Sequence, residues 1–234
     1  MRREYVFDDG GMNLLSSSAL REIREAVVSC QSSVVSDSRT TANPQPPTSL
    51  FVFRSGRPHI FAAGADMAEM QRFSAYDAYR FAQLGQELFA EIERLPCLTV
   101  ALIDGDCFGG ALDLVLSFDL RFATPRSRFA HPGAKLGIVT GFGGTSRWRG
   151  ILDRRAAHQL FLANRILTAE EALAMNLVDR VAESDEDELR RLESVDVRMV
   201  KELTIHAGGL TRSQLLRLAR LQSPAAEALH RVRE

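Results

Sequence analysis

The chain has 234 residues, of which 45% are hydrophobic and 25% charged, and its formal net charge is −1. These values are ordinary for a soluble globular protein and exclude a strongly basic nucleic-acid surface or a polybasic membrane patch. No apolar run approaches the roughly 20 residues of a membrane span, and the first residues lack the apolar core of a signal peptide. We therefore expect a cytoplasmic protein with no nucleic-acid or membrane partner.

The three cysteines, Cys30, Cys97 and Cys107, are odd in number and widely spaced. This spacing fits neither a disulfide framework nor a zinc site, so we expect no metal. Cys107 has no positively charged neighbour in the sequence that would lower its pKa. We interpret it as a packed thiol rather than a nucleophile.

The first predicted element is an amphipathic helix that begins at a serine cap, Ser16, and buries Leu20, Ile23 and Val27. Residues 31–48 are rich in Ser, Thr, Asn and Pro and have almost no apolar periodicity. This composition predicts a flexible surface loop. A short strand over residues 49–53 follows the loop.

The next predicted helix begins at Ser74, which forms a capping pattern with Asp77, and runs to about Arg94. Pro96 ends it, and the unbroken apolar run over residues 98–103 is typical of a buried strand.

Residues 119–123 and 177–181 predict two further strands, separated by a helix that Thr168 and Glu171 cap. Strands that alternate with crossover helices indicate an α/β core. We expect this core to cover residues 1–183, with a C-terminal helical segment over residues 184–234.

A Gly-Gly turn opens a short apolar helix, and one carboxylate, Asp113, lies within it among Ala111–Leu116. A carboxylate is rarely buried unless it is paired with another group or has a functional role. Gly110, three residues earlier, exposes its backbone N–H at the helix start, where negative charge is favoured. A donor aimed at an oxyanion, with a carboxylate on the same face, suits enolate chemistry. Taken alone, the same segment also fits a tight turn with an ion-paired aspartate.

Four blocks in order resemble the crotonase (enoyl-CoA hydratase/isomerase) superfamily. They are residues 61–70, residues 100–123, residues 129–147 and residues 167–179. The resemblance implies a crotonase-like spiral of stacked ββα units, a homotrimer or hexamer, and an acyl-CoA substrate. Coenzyme A would enter as part of that substrate, with no separately bound cofactor.

Carried over by position, the resemblance implies that the backbone N–H groups of Ala65 and Gly110 hold the thioester oxygen, with Asp113 as the proton-transfer group. It implies that the segment Ala63–Met67 lines the path of the adenine and pantetheine. The implied set of coenzyme A and substrate contacts is Ala63, Gly64, Ala65, Asp66, Met67, Gly109, Gly110 and Gly133.

The chain departs from the hydratases at both of their catalytic glutamates: one position holds Asp113 and the other holds Gly133. One carboxylate cannot readily both activate a water and protonate the α-carbon, because these roles need different protonation states. We therefore predict isomerase-type proton transfer rather than efficient hydration. A thioester decarboxylase, a naphthoate-synthase-like lyase and a catalytically impaired coenzyme-A-binding subunit stay as alternatives.

Two further residues stand near the expected site. His131 precedes Pro132 in a loop and is a possible acid or base, or simply a polar replacement there. Asp119 follows the apolar helix at the start of a strand, and we interpret it as structural.

Overall fold

The computed structural model describes residues 1–35, 50–193 and Lys201. Over these residues it has eleven strands and eight α-helices. The strands are β1 (Arg2–Phe7), β2 (Leu14–Leu15), β3 (Leu50–Ser55), β4 (Ile60–Ala62), β5 (Gly64–Ala65), β6 (Leu98–Ile103), β7 (Asp106–Phe108), β8 (Leu120–Ala123), β9 (Arg128–Ala130), β10 (Leu167–Thr168) and β11 (Arg180–Val181).

The helices are α1 (Ser17–Val35), α2 (Met67–Met70), α3 (Ala75–Glu93), α4 (Gly110–Val115), α5 (Gly144–Arg147), α6 (Arg154–Ala157), α7 (Ala169–Ala174) and α8 (Glu186–Glu193). Short 3₁₀ turns cover Pro132–Leu136 and Trp148–Gly150, and a π-helical turn covers His158–Leu162. Within the described residues, no helix is both long and apolar enough to cross a bilayer.

The strands form two main sheets whose members alternate along the chain. The first sheet is parallel, with the order β1-β3-β6-β8-β11. The second has the order β10-β9-β7-β4, and only the β10–β9 pair is antiparallel. The chain passes from the first sheet to the second at β3–β4, β6–β7 and β8–β9, while β2 pairs with β5 in a third, two-stranded sheet. This arrangement is the predicted spiral of ββα units, and it confirms the predicted α/β class.

The core lies between the first sheet and the helices and centres on aromatic side chains. The ring of Phe53 lies 5.7 Å from the rings of both Phe61 and Phe118. The predicted face of α1, formed by Leu20, Ile23 and Val27, is fully buried in this core. Helix α8 covers the other face of the same sheet, which explains why β3 is apolar without alternation.

Helix α1 corrects the expected loop over residues 31–48, because it continues to Val35. The hydroxyl of Ser32 donates to the carbonyl oxygen of Val28 one turn earlier, at 3.0 Å. Serine is compatible with a helix when it bonds back in this way. The remainder of the expected loop lies outside the described residues, as does most of the predicted C-terminal segment.

Asp119 ties the strands together below the site. Its carboxylate accepts hydrogen bonds from the backbone N–H of Thr99 at 2.8 Å and from the Thr99 hydroxyl at 2.9 Å. The Lys201 ammonium lies 2.6 Å from the same oxygen. This position agrees with the structural role expected of Asp119.

Candidate active site

Two backbone segments meet at the candidate site: strand β5 and the turn that leads into α4. Gly109 caps α4 with φ of 56°, a left-handed value that favours glycine. A β-carbon on Gly64 would stand 2.7 Å from the carbonyl oxygen of Phe108 and 3.1 Å from the backbone nitrogen of Gly110. The two backbones therefore touch, and only glycine permits this approach.

The amides of Ala65 and Gly110 lie close together beside this contact. The Gly110 N–H belongs to the first turn of α4, where backbone N–H groups have no acceptor within the helix. A β-carbon on Gly110 would lie only 3.5 Å from the nitrogen of Ala65. An oxyanion hole requires two amides that are close enough to donate to one oxygen atom, and the short distance between these two amides is compatible with that requirement.

Asp66 shapes the loop that carries Ala65. Its carboxylate caps α2 by accepting from the N–H groups of Ala68 at 2.9 Å and Glu69 at 3.0 Å. The Glu69 carboxylate in turn accepts from the N–H of Ser17 at 2.8 Å, which joins this loop to α1. The Asp66 side chain thus fixes the backbone and does not line the cavity described next.

A cavity of about 310 Å³ opens beside the two amides. Eight of the residues predicted for the site lie in its wall: Ala63, Gly64, Ala65, Met67, Gly109, Gly110, His131 and Gly133. The remaining wall is mainly apolar and includes Met70, Phe73, Phe81, Leu136, Val139 and Phe142. The cavity therefore suits an apolar chain that ends in one polar group beside the amides.

Asp113 lies behind the cavity wall rather than in it, with 0% of its surface exposed. The Thr140 hydroxyl donates to its Oδ2. Nε2 of His131 lies 3.5 Å from its Oδ1, and neither of these atoms has a hydrogen-bond partner among the described residues. His131 and Thr140 both line the cavity, so they stand between Asp113 and the space where a ligand would bind.

The surroundings of Asp113 shift the pKa of its carboxyl in opposite directions. Burial raises the pKa of the Asp113 carboxyl, while His131 and the Arg147 guanidinium act to lower it. Arg147 is itself held by Glu93 at 2.8 Å and donates to the Phe142 carbonyl oxygen. Asp113 is therefore an acid whose proton is held more firmly than that of an exposed aspartate.

Burial also raises the pKa of the Cys107 thiol, with the Asp113 and Asp106 carboxylates adding to the shift. Cys107 is fully buried. A thiol in these surroundings stays protonated and is a poor nucleophile, as the sequence indicated.

Gly133 occupies a confined position. A β-carbon there would stand 2.8 Å from the carbonyl oxygen of Ile138 and 3.3 Å from Cε1 of His131. The backbone of the loop thus closes around this glycine. The position where the hydratases carry their second glutamate has no room here for a longer side chain without a shift of the loop.

Sequence reasoning missed three residues that complete the site: Thr140, Phe142 and Gly144. The ring of Phe142 lies between Gly85 and Gly110, both of which lack the β-carbon that would collide with it. Gly144 faces the Asp113 carboxylate so closely that a β-carbon would overlap Oδ1. The repeated glycines around Phe142 were the available signal, because glycine is needed where other groups approach the backbone.

The sequence matches the family model described as enoyl-CoA hydratase/isomerase over residues 43–220. The chain belongs to the enoyl-CoA hydratase/isomerase family. It is 33% identical over 182 residues to the crotonyl-CoA hydratase of Syntrophomonas wolfei, a match that spans 78% of this chain. It is 36% identical over 126 residues, 54% of this chain, to the short-chain-enoyl-CoA hydratase of Clostridium acetobutylicum. An enoyl-CoA isomerase/hydratase of Mycosarcoma maydis is 33% identical over 171 residues, 73% of this chain.

These matches span 65%, 48% and 61% of the lengths of the three relatives, so the chain covers less than two thirds of each. Solved structures of the family share the fold. The enoyl-CoA hydratase from Thermoplasma volcanium superposes with a TM-score of 0.83 at 19% identity, covering 100% of this chain and 94% of its own. The enoyl-CoA hydratase from Bacillus anthracis gives 0.81 at 21% identity, covering 94% and 84%.

Proposed function

We propose that the protein is an acyl-CoA enzyme that stabilises a thioester enolate and moves a proton between carbon atoms. One observation carries the proposal. Ala65 and Gly110 lie close together in the wall of an apolar cavity, and the buried Asp113 carboxylate follows Gly110 by one helical turn. Two amides and a buried carboxylate at one short helix support stabilisation of an enolate next to an acid–base group.

The physical basis lies in when charge develops on the substrate. The thioester oxygen becomes negative only as the α-carbon loses its proton. Donors fixed at that oxygen therefore bind the transition state more strongly than the ground state, and this difference accelerates the reaction. Coenzyme A would enter as part of the substrate. Ala63, Gly64, Ala65 and Met67 line the cavity, which supports the assignment of this segment to the pantetheine path.

Isomerisation suits the confined Gly133 better than hydration does. Hydration needs one group to activate water and another to protonate the α-carbon. A single acid–base unit can take a proton from one carbon and return it to another. Hydration is the second candidate, because two relatives are named hydratases. A decarboxylase, a naphthoate-synthase-like lyase and an impaired coenzyme-A-binding subunit are the alternatives that absence of exchange in the test below would favour.

We also propose assembly into a homotrimer or hexamer. Leu136, Val139, Leu162 and Ile166 are 57–78% exposed, although they are large and apolar. Exposed apolar side chains in one region of the chain are typical of a subunit interface. Light scattering of the purified protein measures the mass, and a monomer at micromolar concentration would contradict this proposal.

The test is hydrogen exchange in D₂O. Butanoyl-CoA, crotonyl-CoA and 3-butenoyl-CoA are incubated with wild type, Asp113→Asn and the control Asp187→Asn, which removes an exposed carboxylate from α8. Mass spectrometry measures deuterium uptake, and absorbance follows conversion of 3-butenoyl-CoA to crotonyl-CoA. We expect uptake and conversion in wild type and Asp187→Asn, and loss of both in Asp113→Asn with retained binding. Binding without any uptake would contradict isomerase-type proton transfer and favour a decarboxylase, a naphthoate-synthase-like lyase or a binding subunit.

A further inference from the structure

The described side chains leave Asp113 without direct access to the substrate cavity. Its carboxylate has no exposed surface, and Thr140 and His131 lie between it and the cavity. These two side chains both contact Asp113 and line the cavity, so they are the candidates to carry a proton between Asp113 and a bound acyl group.

The position of His131 is suited to proton transfer between Asp113 and a bound acyl group. Nε2 of the imidazole faces Oδ1 of Asp113 at 3.5 Å, and the Cε1–Nδ1 edge of the ring lies beside Gly133 in the cavity wall. On that edge, Nδ1 lies 3.4 Å from the point where a β-carbon on Gly133 would stand. The ring of Phe161, at 5.0 Å, supports one side of the imidazole. Gly133 therefore places no side chain against the Cε1–Nδ1 edge of His131.

Both polar atoms at the contact are unusual for a folded protein. Asp113 Oδ1 and His131 Nε2 are buried, and neither has a hydrogen-bond partner among the described residues. Buried polar atoms without a partner are rare, and each one indicates a strained or functional position. A proton on Nε2 and a small shift of the ring would join these two atoms to each other.

Thr140 is the weaker candidate for this proton transfer. Its hydroxyl already donates to Oδ2 of Asp113. An alcohol side chain does not titrate near neutral pH, so it cannot hold the proton between two steps. An imidazole nitrogen can, and histidine is the side chain that most often acts in acid–base catalysis.

We propose that His131 is the catalytic acid–base that exchanges a proton with the substrate carbon, and that Asp113 is a positioning residue that holds its imidazole. This inference rests on the proposed function. Nδ1 takes the α-proton, so a C–H bond breaks, an N–H bond forms and the electron pair moves to the thioester oxygen. The enolate then re-forms the carbonyl, its double bond takes up the proton at the γ-carbon, and Nδ1 is left neutral.

The test uses the exchange assay with His131→Ala, His131→Gln and the matched control His158→Ala, which removes an exposed histidine. Thermal unfolding and coenzyme A binding are measured for each variant. We expect His131→Ala to lose about 10²-fold or more of its exchange rate, the usual size of an acid–base contribution. Imidazole added to the buffer should restore part of this rate, because the alanine leaves space for a free imidazole. His131→Gln keeps most of the volume and should lose the rate without rescue.

The outcomes separate this inference from the proposed function. Exchange by wild type that persists in either folded His131 variant would overturn the role of His131 and leave enolate chemistry intact. Loss in His131→Ala without rescue by imidazole would reduce His131 to a packing residue and also overturn the inference. If His131→Ala does not fold, His131→Gln decides, since retained exchange there contradicts the proposal. No exchange by wild type with any thioester would instead refute the proposed function.

Discussion

The substitution Gly110→Ala perturbs the candidate oxyanion site with a single methyl group. The new β-carbon would lie 2.9 Å from Cδ2 and Cε2 of the Phe142 ring and 3.5 Å from the Ala65 nitrogen. The ring cannot easily move away, because it also contacts Gly85 on its other side and packs edge-on against Phe89 at 5.6 Å. The methyl group therefore shifts the start of α4 or enters the space between the two amides.

The expected magnitudes follow from these contacts. Overpacking a buried site costs about 1–3 kcal/mol, and replacing glycine by alanine within a helix returns about 1 kcal/mol. We therefore expect a net loss of folding stability of no more than about 2 kcal/mol. The loss of one oxyanion donor lowers the rate by about 10²–10³, so activity should fall far more than stability.

The assay compares Gly110→Ala with Gly150→Ala. A β-carbon on Gly150 meets no atom within 4 Å, so this control adds the same methyl group to an open position. Exchange of the α-proton in D₂O gives the rate, and urea unfolding gives the stability. If Gly110→Ala keeps the exchange rate of Gly150→Ala, the Gly110 amide does not hold the thioester oxygen and the reasoning is refuted.

Three other changes follow from the same geometry. Gly133→Glu should destabilise the protein and fail to increase crotonyl-CoA hydration, because its β-carbon would stand 2.8 Å from the Ile138 carbonyl oxygen. A stable variant that hydrates crotonyl-CoA faster than wild type would contradict this prediction. Gly144→Ala should lower the free energy of unfolding by about 1–3 kcal/mol, since its β-carbon would overlap Asp113 Oδ1, and an unchanged urea midpoint would show that the loop yields freely. Asp113→Asn should stabilise the fold at pH 7.5 more than at pH 4.5. Urea unfolding of the variant and of wild type measures this at both pH values. A difference in the free energy of unfolding that is the same at both pH values would contradict the prediction.

The sign of the last prediction follows from the direction of the pKa shift. Burial raises the pKa of Asp113 in the folded state above its ordinary value of 3.8. The folded protein therefore prefers the neutral carboxyl. Wild type keeps its full stability below the unfolded pKa and loses part of it as pH rises through the folded pKa. Asparagine does not titrate, so the difference between the two proteins grows with pH.

Local sequence signals predicted the helices well, because the capping groups lie within a few residues of each other. Ser74 and Asp77 form the predicted reciprocal capping box, as do Thr168 and Glu171. Their hydrogen bonds depend only on neighbouring backbone atoms, so no tertiary contact is needed to recognise them. The same holds for the buried face of α1.

Strand β1 could not be recognised in this way. Its sequence over Arg2–Phe7 begins with three charged residues, which conceal the strand pattern. The strand lies at the edge of the first sheet, where charged side chains are compatible with one free side. Its partner is β3, which begins 43 residues after β1 ends, at Leu50.

The candidate site shows the same limit. The sequence alone indicated Asp113 and Gly110, because the Gly-Gly turn and the apolar helix are adjacent. The contacts of Asp113 with His131 and Thr140 join residues 18 and 27 positions further along the chain. Only the spiral of the chain brings them together, and no local pattern specifies which oxygen of the carboxylate each one meets.

The most direct test of the central claim observes the thioester carbonyl itself. Infrared difference spectra are recorded for crotonyl-CoA, with and without ¹³C at the carbonyl, bound to wild type and to Gly110→Ala. The isotope difference isolates the C=O stretch from the protein bands. If the Ala65 and Gly110 amides hold this oxygen, the stretch in wild type should fall below its frequency in water, and Gly110→Ala should reverse most of the change. A bound carbonyl with the frequency found in water, in wild type as in the variant, would contradict the account.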